Sequence, residues 1–182
     1  MARINALSPD ATTGKSKEMF DAIQGKLGMV PNMMRTMGNS PAVLNGYLSL
    51  SGALNESSIG GKLNELIALT VANANGCDYC NAAHTYIGEK LVGIDVVSID
   101  AARFGQSKDA KIEAALIFAK EVVATRGQVA SSDIEDVKAA GYDDAQVAEI
   151  VAAVALNIFT NYFNNVAETV VDFPKVTLVN QI

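Results

Sequence analysis

Both cysteines and the one histidine of this 182-residue chain fall within the run Gly76-Cys77-Asp78-Tyr79-Cys80-Asn81-Ala82-Ala83-His84. Cys77 and Cys80 stand three apart and His84 follows Cys80 by four, so on a helix the three side chains share one face. Thiols and an imidazole in that register suit redox or nucleophilic chemistry. Asn75-Gly76 interrupts the preceding helical pattern, which puts Cys77 near an N-cap and Cys80 in the first turn. Unpaired backbone N–H groups at such a place favour a thiolate, pulling a cysteine below its free pKa of about 8.5. His84, one turn further on, is in register to hydrogen-bond Cys80 and to take or return its proton. The two cysteines are also spaced to close a disulfide.

Glu65 joins this group from outside the run. If the helices on either side fold back at Asn75-Gly76, Glu65 lies ten residues before the turn and His84 nine after it. At a rise of about 1.5 Å per residue the two sit at nearly the same level. Glu65 is then placed to orient His84, which addresses Cys80, an order of acid, base and nucleophile used by other covalent catalysts. Two further readings stay open on the residues alone. Cys77, Cys80, His84 and Glu65 are all zinc-donor types, although no second CxxC or HxxxH supplies the separate ligand pair of a structural zinc site. The plainer alternative is a pair of buried structural cysteines beside a core histidine. A c-type haem is excluded because Asn81, not histidine, follows Cys80, and a thioredoxin-like role lacks its βαβ setting.

The elements that must hold these residues read as helices throughout. The chain is 49% apolar and 19% charged, enough for one domain with a sizeable core. A net charge of −6 without a basic cluster argues against nucleic acid as a partner. The first residues lack the apolar core of a signal peptide, and the longest purely apolar runs, such as Ile150 to Leu156, are short for a bilayer. A cytoplasmic protein without a membrane partner is therefore expected, where a CxxC pair points to transient redox or metal chemistry before a structural staple.

Apolar spacing predicts helices over Ser16 to Leu27, a short turn through Met33, Met34 and Met37, Pro41 to about Leu54, about Lys62 to Ala74, and from the cysteine run to about Leu91. Asp95 and Ser107 read as caps of the next two, and Ser132-Asp133-Ile134-Glu135 as a capping box for a helix ending at Ala140. Asp143-Asp144-Ala145-Gln146 is a second box, opening a long helix to about Thr169. The methionine cluster reads first as flexible core filler and second as pocket lining. Asn157, Asn161 and Asn164 lie on one helical face and read first as partners for buried backbone or subunit contacts, with a site-lining role as the alternative. Glu65 and Asn73 recur in spacing as Glu149 and Asn157, a hint of internal duplication. The tail, about 170–182, is expected to run extended on the surface or a neighbouring subunit.

Glu65, eleven intervening residues, and Cys77-Asp78-Tyr79-Cys80-Asn81-Ala82-Ala83-His84 resemble the E-x11-C-x2-C-x3-H signature of AhpD-like alkylhydroperoxidases, in the carboxymuconolactone decarboxylase superfamily. Val30-Pro31-Asn32, Asn39-Ser40-Pro41 and Phe159 to Asn164 with Asp172-Phe173-Pro174 resemble its peroxidase-related branch. The resemblance implies a single all-α AhpD-like domain over 1–182, its signature-bearing core at about 41–105, assembling as homo-oligomers, commonly trimers or hexamers. It implies a thiol peroxidase needing no cofactor or metal. Cys80 would be the peroxidatic cysteine, Cys77 the resolving one, exposed to the reductant, and Glu65 and His84 the proton relay. The partners so implied are a hydroperoxide substrate and an external dithiol of lipoyl or thioredoxin type. Two positions depart from the pattern: Tyr79 stands where the best-studied branch has histidine, and Asn165 where related chains have another. Carboxymuconolactone decarboxylases proper lack the cysteine pair.

Overall fold

The computed structural model describes residues 2–176, and every regular element among them is helical. α1 spans Gly14–Leu27, α2 Asn32–Met37, α3 Pro41–Leu54, α4 Gly60–Ala74 and α5 Asp78–Ile87. A π-helical turn, Gly88–Val92, prolongs α5. α6 spans Val96–Ala102, α7 Ala110–Ala124, α8 Ser131–Ala139 and α9 Asp144–Ala167.

α4 is the centre of the fold. Every residue from Leu66 to Ala72 is buried, because α5, α6, α7 and α9 surround it. A helix apolar on all sides can only sit inside a bundle. Leu66, Ile67, Leu69 and Val71 join Ile99 of α6, Leu116 and Phe118 of α7, and Ile150 and Val154 of α9 in one apolar core. A second core gathers Phe20 and Ile23 of α1, Met33 and Met37 of α2 and Leu44 of α3 around Ala72, Cys77, Tyr79 and Cys80. Gly38 lets α2 close on α1, since a Cβ there would collide with the Phe20 ring. The cysteine run belongs to this second core, on the flank of α4.

α9 is long and apolar enough to cross a membrane by length and composition, but here it packs on α3, α4, α5, α7 and α8. It is tied to the start of α4 by Glu149, whose carboxylate accepts from the Ser58 and Ile59 backbone N–H groups at 3.0 and 3.2 Å and from the Ser58 hydroxyl at 2.8 Å. Glu149 thus satisfies donors at a helix start, a role unlike that of Glu65, so the recurrent spacing carries no shared function.

Most helix boundaries fall where apolar spacing puts them. Three local readings are corrected. The start of α7 is capped by Asp109, whose Oδ1 accepts from Lys111 and Ile112 N–H, while Ser107 merely accepts from the Asp109 N–H. α8 begins one residue before Ser132, and Asp133 reaches back to the Ala130 N–H at 2.7 Å, giving one half of the expected box from a different register. The α-helical part of α5 ends at Ile87 instead of reaching Leu91, because the chain widens into the π turn before Gly93 stops it with φ of 76°. The Asp143–Gln146 box forms as read, with the bond from Gln146 N–H to Asp143 at 2.8 Å.

The tail beyond α9 has no regular structure over 170–176, and residues 177–182 of the expected extended segment lie outside the described residues. Asp172 Oδ2 accepts from the Asn32 N–H at 2.7 Å, and the Val170 carbonyl accepts from Asn32 Nδ2 at 3.0 Å. These bonds lay the tail against the start of α2, where it meets the cysteine run.

Candidate active site

α4 ends at Ala74 with Asn75 as its C-cap, and Gly76, with φ of 59°, turns the chain back so that α5 runs alongside it. The turn makes Cys77 the N-cap of α5. Its sulfur accepts from the Cys80 N–H at 3.2 Å, where a serine or aspartate oxygen would ordinarily serve. Cys80 therefore sits in the first turn, as its spacing predicts.

The fold-back also brings Glu65 to His84, with His84 Nδ1 at 2.8 Å from Glu65 Oε2. Burial acts to lower the histidine, but the adjacent carboxylate outweighs it and His84 is raised above its ordinary pKa. His84 makes no hydrogen bond to Cys80, in contrast to the expectation from spacing, and acts on it through charge. The Cys80 thiol is brought down to about 6. A hydrogen bond with the Cys77 thiol is the largest cause; burial opposes it, and the His84 charge and the Asn164 and Asn161 amides add to it. Cys77 moves the other way, held up as donor in that bond and by burial. One proton is thus kept on Cys77 while Cys80 ionises.

Both cysteines are free thiols. Cys77 is 0% exposed and Cys80 2%, so the expectation that Cys77 lies open to a reductant is corrected: as N-cap it is enclosed by the second core. Cys80 faces a cavity of about 290 Å³ with Glu65 and His84 on its wall. The remaining wall is mainly apolar, with Leu27, Met33, Met34, Leu54, Tyr86, Leu91 and Phe173 among its residues. Met33 and Met34 thus line the cavity while Met37 is core, so the methionine cluster divides between its two readings. No three Cys, His, Asp or Glu side chains among the described residues converge to hold a metal ion.

Several site residues carry no signal that spacing analysis would rank. Tyr47 of α3 lines the cavity; burial raises its pKa to about 12, opposed by Ser51 and reinforced by the charges of Cys80 and Glu65. Phe173 packs edge-on against Tyr79 with centroids 5.8 Å apart and lies 5.9 Å from Tyr86. Of the asparagine row, Asn164 Nδ2 donates to Cys80 Sγ at 3.3 Å and Asn161 Oδ1 accepts from Asn75 Nδ2 at 3.0 Å. Asn157 lies on the cavity wall. The row belongs to the site, which reverses the order of its two readings. Tyr79 is turned from the thiols toward α2, where its hydroxyl accepts from the Met33 N–H at 3.1 Å. Asn165 donates to the Asn75 carbonyl at 3.0 Å and so braces the turn.

Residues 41–121, from the start of α3 into α7, match the carboxymuconolactone decarboxylase family. Over this segment the chain is similar to that family. The matched segment holds Glu65, Cys77, Cys80 and His84, whereas Asn161, Asn164 and Phe173 lie beyond it. Comparison with curated proteins by sequence finds no match. Among solved structures, a peroxidase-related protein from Silicibacter sp. TM1040 is similar with a TM-score of 0.81 and 24% identity over 92% of each chain. A peroxidase-related protein from Ralstonia eutropha JMP134, described as an alkylhydroperoxidase AhpD core, gives a TM-score of 0.82 and 23% identity over 94% of this chain and 92% of that one. The debrominase Bmp8 gives 0.77 and 23% over 93% and 92%. The fold is thus AhpD-like over nearly the whole chain.

Proposed function

We propose that the protein is a cysteine-based peroxidase that reduces hydrogen peroxide or organic hydroperoxides. The observation that carries this reading is a thiol lowered to about 6 at the floor of a cavity, beside a histidine raised by its carboxylate partner. The Cys80 thiolate attacks the peroxide, the O–O bond breaks, and the departing oxygen takes a proton from His84. Cys80 is left as a sulfenic acid. The Cys77 thiol displaces water from it to give the Cys77–Cys80 disulfide, and an external dithiol of lipoyl or thioredoxin type returns the pair to thiols. Glu65 keeps the imidazole charged and oriented between turnovers. The cytoplasm is the setting in which such a dithiol is at hand. Exposed apolar residues along α9, Tyr162 and Val166 among them, support assembly into homo-oligomers.

The test is consumption of cumene hydroperoxide with a dithiol as reductant. Turnover is expected in the wild type and its loss in Cys80→Ser; undiminished turnover in that variant rejects the assignment. Exchange of protein disulfides without peroxide is the competing redox activity, and stopped-flow oxidation of Cys80 by hydroperoxide separates the two. A second reading comes from the apolar cavity wall, which also suits a halogenated ring: a cysteine-to-alanine variant of the debrominase Bmp8 is known in complex with 2,3,4-tribromopyrrole. Bromide release from that compound in the presence of dithiol tests it.

A further inference from the structure

Cys80 is met from the α9 side by two amides. Asn161 and Asn164 stand three apart on one face of α9 and are 0% and 3% exposed. Asn164 Nδ2 donates to Cys80 Sγ at 3.3 Å, a bond that strengthens when the sulfur is an anion. Asn161 is fixed from its other end: its Oδ1 accepts from Asn75 Nδ2, one residue before the Gly76 turn. That bond leaves Asn161 Nδ2 as the free end of the amide, turned to the Cys80 sulfur but without a full hydrogen bond to any of the described residues. Asn164 Oδ1 is buried without a hydrogen-bond partner among the described residues. Leaving a buried polar atom unpaired is costly. Two such atoms together, on amides aimed at one sulfur, need a physical reason.

The unfilled pair is one donor and one acceptor. A sulfenic acid, Cys–S–O–H, adds one acceptor oxygen and one O–H donor to the sulfur, so its demand matches what the two amides leave open. α9 brings no charged side chain to this face; the ionisable groups around Cys80 are Cys77, Tyr79 and His84 on the cysteine run, Glu65 on α4 and Tyr47 on α3. Neutral amides hold both the thiolate and the oxygenated sulfur without fixing either by charge.

We propose that Asn161 and Asn164 form an amide cradle that holds the Cys80 thiolate and then binds the oxygen the sulfur gains, making this a sulfenic-acid site. The proposal rests on the peroxidase reading above. In the step concerned the thiolate forms a bond to one peroxide oxygen, the O–O bond breaks, and the alkoxide takes the His84 proton. Sulfur is oxidised by two electrons and the peroxide reduced by two. The oxygen retained on sulfur keeps the hydrogen it carried in the hydroperoxide, accepts from Asn161 Nδ2 and donates to Asn164 Oδ1. Asn164 touches the reacting sulfur and is catalytic in this sense, while Asn75 is a positioning residue acting through Asn161.

The experiment uses the full chain carrying Cys77→Ser, in which the sulfenic acid cannot condense and serine keeps an N-cap acceptor. One equivalent of cumene hydroperoxide is added, and the sulfenic acid is followed by trapping with a 1,3-diketone and by mass spectrometry of the sulfinic product. Asn161→Leu and Asn164→Leu are expected to shorten its lifetime at least tenfold. Asn161→Asp, which keeps an acceptor for Asn75 and removes the free donor, gives the same result where the leucine variant fails to fold. In the Cys77-containing chain, Asn164→Leu is expected to move the pH midpoint of Cys80 alkylation upward by about one unit, a tenfold loss of rate on the acid side. Unchanged lifetimes and unchanged midpoints in variants that melt normally overturn the cradle and leave the peroxidase reading standing. If Cys77→Ser alone forms no sulfenic acid, the peroxidase reading falls and the oxygen-binding role with it, and the alkylation midpoints then decide the thiolate-holding role by themselves.

Discussion

Glu65 Oε2 and His84 Nδ1 meet at 2.8 Å across the fold-back between α4 and α5, nineteen residues apart in the chain. The contact is part-buried, with 17% and 22% of the two side chains exposed, so the carboxylate acts on the imidazole with limited screening by water. The site's charge balance starts from this pair.

Replacing Glu65 with glutamine keeps the shape and removes the charge. The His84 pKa then falls, the imidazolium is lost near neutral pH, and Cys80 loses a cation that favours its thiolate. Peroxidase turnover is expected to drop about a hundredfold at pH 7, within the range of general acid–base effects. The Cys80 alkylation midpoint should rise together with that loss. Unaltered turnover and midpoint would remove the pair from the mechanism.

The two thiols are expected to separate by reactivity. Alkylation of Cys80 should rise through a pH of about 6 and level off near neutrality, while Cys77 stays unreactive well past the ordinary thiol range. Peroxidase rate should be bell-shaped, its acid limb set by ionisation of Cys80 and its alkaline limb by deprotonation of a His84 raised above 6.5. Residue-resolved mass spectrometry after brief iodoacetamide treatment measures the first, and a pH series of initial rates the second. Equal labelling of both cysteines at pH 7 contradicts the geometry.

Tyr79→Phe separates structure from chemistry at the residue between the cysteines. Phenylalanine retains the edge-on contact with Phe173 but leaves the buried Met33 N–H without its acceptor. A loss of about 1–3 kcal/mol in unfolding free energy is expected. The Cys80 alkylation midpoint should stay in place. A shifted midpoint with unchanged stability would assign Tyr79 to the proton relay instead.

Phe173→Ala removes the part of the tail that walls the cavity beside Tyr79 and Tyr86. The kcat/KM for cumene hydroperoxide should fall about tenfold, some 1.4 kcal/mol, through KM. The value for hydrogen peroxide, too small to touch that wall, should hold. Parallel losses for both substrates would show that the tail supports the fold and not substrate binding.

Helical spacing places the Glu65–His84 pair because both residues are counted from a single turn at Asn75-Gly76, and the rise of a helix does the rest. It places Cys77 at the N-cap for the same reason. It does not find Asn164 beside Cys80, since that contact depends on how α9 packs across α5, eighty-four residues away in the chain. Periodicity puts Asn157, Asn161 and Asn164 on one face but is silent on what the face meets. Ser107 and Asp109 illustrate a smaller limit, because two good capping residues two apart leave the choice to the geometry of the turn. The π turn after Ile87 has no periodicity of its own within five residues. Tyr47 is one aromatic on an amphipathic helix, indistinguishable by pattern from a packing residue.

Cys77, the sulfur that would take over the oxidation from Cys80, lies wholly beneath the protein surface. In the proposed cycle a small thiol entering by the cavity therefore meets the Cys80 sulfur, and the Cys77 sulfur is reached only when the start of α5 loosens. A reductant that must engage Cys77 waits on that opening. For such a reductant the delay is set by a local unfolding equilibrium, a clock whose rate temperature can reset.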